Sequence, residues 1–238
     1  MDPTTVYIPN PTPALSCAAE ALNDRGIPLA HCCEDADCLL YPAPTPLNSL
    51  CDYLIGKTVI GGNLDFLKPE VERFDLLKDP FYLAANAAIT AEAALGLILN
   101  HMKCAITEAE ILILGWGRIG KCLTHQLKAL NTHLTVYARK GSDQALLKAL
   151  SYRPITLEQL REELPRFRCI VNTIPAPVLT AADMACVSAS CFKMDLASVL
   201  SLPGDGVLHA RGLPGRCKPE ASGALIAETV ARYLKGGK

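Results

Sequence analysis

Six residues, Gly115-Trp116-Gly117-Arg118-Ile119-Gly120, constrain this chain more than any other stretch. They follow an apolar run, Glu110–Leu114, and lead into residues 119–130, which carry helical spacing. Glycine at the first, third and sixth positions between a strand and a helix has a definite use. The first glycine makes the tight turn, the second lets backbone approach a pyrophosphate, and the third lets helix and strand pack closely. The helix amino terminus then offers N–H groups and the positive end of its dipole to phosphates.

Around this turn, short apolar runs alternate with helical stretches, the pattern of a parallel sheet covered by helices. Strands are expected at 6–8, 38–41, 58–62, 110–114, 134–138, 169–172, 192–195 and 207–210, and helices at 14–24, 119–130, 143–150, 157–164 and 220–234. Residues 42–46 hold three prolines and read as a loop. Residues 90–103 are rich in Ala and Leu and read as a helix buried on nearly all sides, with Thr90 as its cap and Glu92 in its positive first turn. The expected fold is therefore α/β, a doubly wound parallel (Rossmann) sheet with a second, smaller α/β domain. The expected division is 1–85 for a substrate-side domain, 86–103 for an interdomain helix, and 104–238 for the dinucleotide-binding domain with the last helix.

Composition narrows the function. The net charge of −1 argues against general nucleic-acid binding, which needs a basic face. Charge is uneven along the chain. Residues 1–80 carry 5 Lys and Arg against 12 Asp and Glu, while residues 81–238 carry 18 against 12. A basic second part fits an anionic ligand held mainly there. Apolar runs such as 93–99 and 111–114 read as too short to span a membrane. The start, Met1-Asp2-Pro3-Thr4-Thr5, has no secretory pattern, so the reducing cytoplasm is the expected compartment. The 11 cysteines make no paired metal-ligand spacing, and Cys122, Cys169 and Cys191 sit in apolar context as small core residues. No metal site is expected.

Three further constellations bear on chemistry. The strand after the glycine turn ends Val136-Tyr137-Ala138-Arg139-Lys140. Ala138 stands where an NAD-specific sheet carries an acid for the ribose 2′-hydroxyl, and Arg139 with Lys140 suit a 2′-phosphate, so NADP is expected over NAD. Two strand ends bring polar groups to the carboxyl edge: Asn172-Thr173-Ile174-Pro175, read as placing the nicotinamide ribose or carboxamide, and Asp195 with Ser198, read as facing substrate. For Asn172 and Asp195 the other reading is that they cap the turns that follow. Last, Gly212-Leu213-Pro214-Gly215 with Arg216 and Lys218 reads as a loop that clamps a carboxylate.

Taken in order, these segments resemble the A-subunit family of dipicolinate synthase. The resemblance runs from about Asp79 to Leu234, through Asn86, Thr90 and Glu92, LGWGRIG (114–120), VYARK (136–140), NTIP (172–175), DLAS (195–198), GLPG (212–215), Pro219 and Gly223. It implies a two-domain NADP-dependent oxidoreductase that converts dihydrodipicolinate, a cyclic dicarboxylate of the lysine pathway, to dipicolinate, which is stored in spores during sporulation. It also implies a partner, a flavoprotein-like B subunit, and it sets Asn86, Thr90 and Glu92 near the cleft as catalytic candidates. Glu92 is the first choice of base and His101 the second. Two alternatives stay open: a 2-hydroxyacid or shikimate-type dehydrogenase on the same cofactor domain, and a nucleotide-binding subunit without turnover. Homo-oligomerisation also stays open.

Overall fold

A computed structural model of the 238-residue chain describes residues 4–50 and 54–236. Met1, Asp2 and Pro3, on which the reading of the chain's start rests, lie outside the described residues. The chain divides into two compact units, Met1–Ile89 with Pro214–Lys238, and Thr90–Leu213.

The first unit is built on four short parallel strands, β1 (Val6–Tyr7), β2 (Cys38–Leu40), β3 (Thr58–Gly61) and β4 (Arg73–Asp75), side by side in that order. An isolated parallel bridge joins Val6 to Leu29, with Val6 N–H donating to Pro28 O and Ala30 N–H to Val6 O. The chain at Leu29 thus lies on the side of β1 away from β2, as a strand reduced to one bridge. Counting it, the order is the 2-1-3-4-5 of a doubly wound sheet. Helix α1 (Pro13–Asp24) connects β1 to that bridge. The chain's last helix, Pro219–Leu234, packs on α1, with Ile226, Ala227 and Val230 sharing a core with Leu15, Ala18 and Leu22. Gly223 makes this contact possible, because a Cβ there would strike Ala14 O and Cys17 Cβ. Sequence order alone attaches this helix to the glycine-turn domain, but its packing puts it in the first unit.

Helix α2 runs over Pro80–His101, starting ten residues before the expected Thr90. Its start is set by Asp79, whose Oδ1 accepts from Tyr82 N–H at 2.7 Å, and by Pro80, which has no N–H to leave unpaired. Arg232 of the last helix donates to both Asp79 carboxylate oxygens at 2.8 Å. Thr90 is therefore mid-helix and no cap, and Glu92 is not in a positive first turn. By length and composition α2 is apolar enough to cross a membrane, a test that the core helices of folded domains also pass, and it is longer than the run 93–99 within it. It is also not buried all round: Phe81, Glu92 and Leu99 are exposed, while Ala91, Ala94 and Ile98 are buried in the second unit's core.

The second unit alternates strands and helices: β5 (Glu110–Leu114), α3 (Arg118–Ala129), β6 (His133–Tyr137), α4 (Gly141–Ala149), β7 (Arg153–Ile155), α5 (Leu157–Glu163), β8 (Cys169–Asn172), α6 (Ala181–Ala185), β9 (Phe192–Asp195) and β10 (Val207–His209). Two helices follow, α7 (Leu213–Cys217) and α8, the last helix already described. All six strands are parallel, in the order β10-β9-β8-β5-β6-β7. From the β7 edge these are the unit's third, second, first, fourth, fifth and sixth strands, the order of a dinucleotide-binding sheet. Both faces are covered. Ile111 and Ile113 of β5 enter one core, and Leu112 and Leu114 enter another on the opposite face. Strands β4 and β7 and helix α6 were not expected from sequence. They are only three to five residues long, too short for a periodic signal.

Candidate functional site

The order of the second sheet reverses between β5 and β8, so both carboxyl ends border the crevice where such sheets bind ligands. The chain leaving β5 is the glycine turn. Gly115 has φ +111°, and a Cβ there would collide with Thr173 Oγ1. A Cβ on Gly120 would collide with the backbone oxygen of Gly115. These two glycines are needed for the turn and for helix–strand packing. Gly117 differs, since a Cβ there would meet nothing within 4 Å. Its open side belongs to a cavity of about 630 Å³ whose wall includes Gly115, Trp116 and Gly117. Gly117 is also the N-cap of α3, and no side chain caps that helix. A cradle of this kind, with unclaimed N–H groups at a helix start, fits a dinucleotide pyrophosphate. Arg118 is exposed at the first position of α3, and Ile119 packs on the core.

The far wall of the cavity is the chain leaving β6. Ala138 is buried, Arg139 and Lys140 are exposed, and all three line the space. Gln144 pins this turn by donating from Nε2 to Ala138 O at 2.8 Å. The two cations hold positions that suit a phosphate on the ribose 2′ oxygen. The same wall carries Asp143, in the first turn of α4, which the sequence reading did not name. Its spacing, four residues after Arg139 in a helix's first turn, was the available signal.

The third wall is Thr173, Ile174 and Pro175, with Ala176, Pro177 and Val178 beyond them. Two polar residues expected at this wall, Asn172 and Asp195, turn into the protein instead. Asn172 does not reach the cavity. It is 2 % exposed, and its Nδ2 donates toward Asp195 Oδ1 at 3.0 Å, Ser201 Oγ at 2.9 Å and Ile174 O at 3.1 Å. Its Oδ1 accepts from Ile174 N–H at 3.1 Å. Asp195 does not face substrate either. It is fully buried and accepts from the N–H groups of Ala197, Ser201 and Leu202, each at 2.9 Å. A buried carboxylate held by backbone donors shapes the loop after β9, which is the turn-capping alternative. Ser198 lies exposed on that loop.

None of the remaining candidates is among the residues that line this cavity. Asn86, Thr90 and Glu92 all stand on α2. Asn86 and Thr90 are one turn apart on a common face, whereas Thr90 and Glu92 point to different sides, as residues two apart on a helix must. Thr90 is buried and Glu92 is exposed. His101 accepts or donates through Nδ1 at Leu97 O, 2.8 Å away, and its ring stacks on Phe192 at 4.5 Å. Phe192 opens β9, so His101 sits at the sheet's amino edge, opposite the glycine turn. It is not placed to act as base there. Leu213–Cys217 is a helical turn instead of an open clamp, with Arg216 exposed and Lys218 half-buried in residues grouped with the first unit. Burial pushes the Cys191 thiol up to about 11 and the Cys169 thiol well above its ordinary value, as expected of cysteines that serve as core.

No family model matches the chain. In sequence it is 26 % identical over 157 residues to the dipicolinate synthase A-subunit of Bacillus subtilis (strain 168), covering 63 % of this chain and 53 % of that protein. The chain thus spans about half the length of the curated relative it matches. Among solved structures, the dipicolinate synthase A-subunit from Bacillus halodurans matches with TM-score 0.80 at 20 % identity over 97 % of each chain. Its counterpart from Bacillus subtilis matches with TM-score 0.82 at 16 % identity, over 99 % of this chain and 97 % of that one. Salmonella D-lactate dehydrogenase shares the fold more distantly, with TM-score 0.70 at 10 % identity over 99 % and 97 % of the two chains. In sequence over 157 residues, and in fold along nearly its whole length, the chain is similar to the A-subunit of dipicolinate synthase.

Proposed function

We propose that this protein is an NADP-dependent dehydrogenase of the cytoplasm that oxidises a small cyclic dicarboxylate, dihydrodipicolinate, to dipicolinate. The observation that carries the reading is the cavity at the β5–β8 reversal, with Gly117 open on one side and Arg139 and Lys140 on the other. In this reading Gly117 and the start of α3 hold the pyrophosphate, and Arg139 with Lys140 holds the 2′-phosphate. Bound nicotinamide supplies the hydride acceptor. On the family resemblance, Glu92 is the proposed base and Arg216 and Lys218 are the proposed partners of the substrate carboxylates. Asn86 and Thr90, on a face of α2 that Glu92 does not share, are kept as substrate-side candidates on the family resemblance alone. The substrate rests on the relative named for dipicolinate synthase, and so does the partner, a second, flavoprotein-like subunit. The lysine-pathway branch and sporulation belong to the same reading.

The test is titration of the purified protein with NADPH and NADH, followed through its single tryptophan, Trp116. Tighter binding of NADPH supports the reading. Equal or tighter binding of NADH removes the 2′-phosphate assignment and moves weight to a 2-hydroxyacid dehydrogenase. No binding of either removes the dinucleotide assignment. Dihydrodipicolinate oxidation, with and without a partner subunit, then tests the substrate, and Glu92→Gln must abolish turnover while leaving NADPH bound.

A further inference from the structure

We infer that Thr173 is a positioning residue for the dinucleotide. Its hydroxyl holds the glycine turn in the shape that receives a pyrophosphate, by bonding the backbone where that turn begins. The inference rests on the dinucleotide reading and deepens it.

Leu114 O is the last carbonyl of β5, immediately before Gly115. Thr173 approaches it twice, its N–H and its Oγ1 each donating at 2.9 Å. On the other side, Gly115 N–H donates to Tyr137 O at 2.9 Å. The first glycine of the turn is therefore held between β6 and the chain leaving β8. The same hydroxyl oxygen occupies the space a Cβ on Gly115 would need, and it lies 3.4 Å from where a Cβ on Gly120 would sit. One oxygen thus packs against both glycines that set the turn.

Thr173 is itself held from behind. Ile174 N–H donates to Asn172 Oδ1, and Ile174 O accepts from Ser201 Oγ at 2.6 Å. The buried Asn172–Asp195–Ser201 group is the anchor, and Thr173 is the point where that anchor meets the turn. A threonine hydroxyl has one proton to donate. That proton is used on Leu114 O, so Thr173 keeps only acceptor lone pairs to offer the ribose hydroxyl or carboxamide that the sequence suggested it positions.

The experiment uses the full chain and two ligands. NADPH spans the pyrophosphate site and the Arg139 end, whereas adenosine 2′-monophosphate reaches only the Arg139 end. Thr173→Ala is expected to weaken NADPH about tenfold, in line with loss of one hydrogen bond and its packing. Adenosine 2′-monophosphate should bind as before, and Thr173→Ser, which keeps the hydroxyl, should bind NADPH nearly as the parent does. Ser201→Ala releases the anchor at Ile174 O and must show the same selectivity for NADPH. It serves as the second variant if Thr173→Ala does not fold. Equal weakening of both ligands, no weakening of NADPH, or a serine variant as weak as the alanine variant overturns the positioning role while the dinucleotide reading stands. Failure of the parent protein to bind either ligand overturns both.

Discussion

β1 and β5 are each the first strand of a parallel sheet, each lies beside the point where its sheet's order reverses, and each runs into a helix. The turns between strand and helix are built in opposite ways. After β1 the chain reads Ile8-Pro9-Asn10-Pro11-Thr12-Pro13. Three prolines there have no N–H, and Thr12 Oγ1 accepts from Leu15 N–H at 3.3 Å to cap α1. After β5 no side chain caps α3, and glycine at 117 leaves its side of the turn open. The topology offers a helix terminus at the carboxyl edge of both sheets. The turn residues decide whether its donors are used up internally or kept for an anion.

The largest effect that tests this contrast is Gly120→Ala. Its Cβ has nowhere to go but onto Gly115 O, so stability should fall by about 3 kcal/mol and NADPH binding should be lost. Gly117→Ala meets open space, so stability should change by less than about 0.5 kcal/mol while NADPH binding weakens about tenfold. Thermal melts and NADPH titration of both variants separate the packing glycine from the approach glycine. An unaffected Gly117→Ala would mean that the β5 turn is as closed to ligands as the β1 turn.

Next in size is Arg139→Ala. Loss of a charge-assisted bond should weaken NADPH about thirtyfold and leave NADH within about twofold. Parallel loss for both nucleotides would show that Arg139 does not distinguish them. At the other turn, Thr12→Ala should lower stability by about 1 kcal/mol, the usual effect of losing a cap, with no change in NADPH affinity. A change in affinity would break the contrast from the β1 side.

The smallest effect is electrostatic and lies in the second unit. Arg153 hydrogen-bonds to the Glu163 carboxyl at 2.6 and 2.7 Å and, with help from Arg166, holds it below the usual carboxylate range. A lowered folded value gives stability that is present above the unfolded value, near 4.3, and lost as pH falls through the folded value. Glu163→Gln should therefore lower stability by about 0.5–1 kcal/mol at pH 7, solvent screening included, and the difference should shrink as pH falls below about 4.3. Urea unfolding of both proteins at pH 7 and pH 3.5 measures it.

Local signals in the chain are enough to settle the glycine turn, the alternation of strands and helices, and the cationic end of β6. Glycine spacing, apolar periodicity and the residues just past a strand need no knowledge of the rest of the chain. The start of α2 was legible too, in Asp79-Pro80, a capping acid followed by the residue best suited to a helix's first position. Other features follow only from contacts between distant segments. Asn172 turns inward because its partners, Asp195 and Ser201, lie 23 and 29 residues away on the next strand and its loop. The chain's last helix joins the first unit because Gly223 fits the backbone of α1, more than 200 residues earlier in the chain. A polar residue at a strand end looks the same in sequence whether it faces a ligand or a neighbouring loop. Which it faces depends on the donors and acceptors that folding brings beside it.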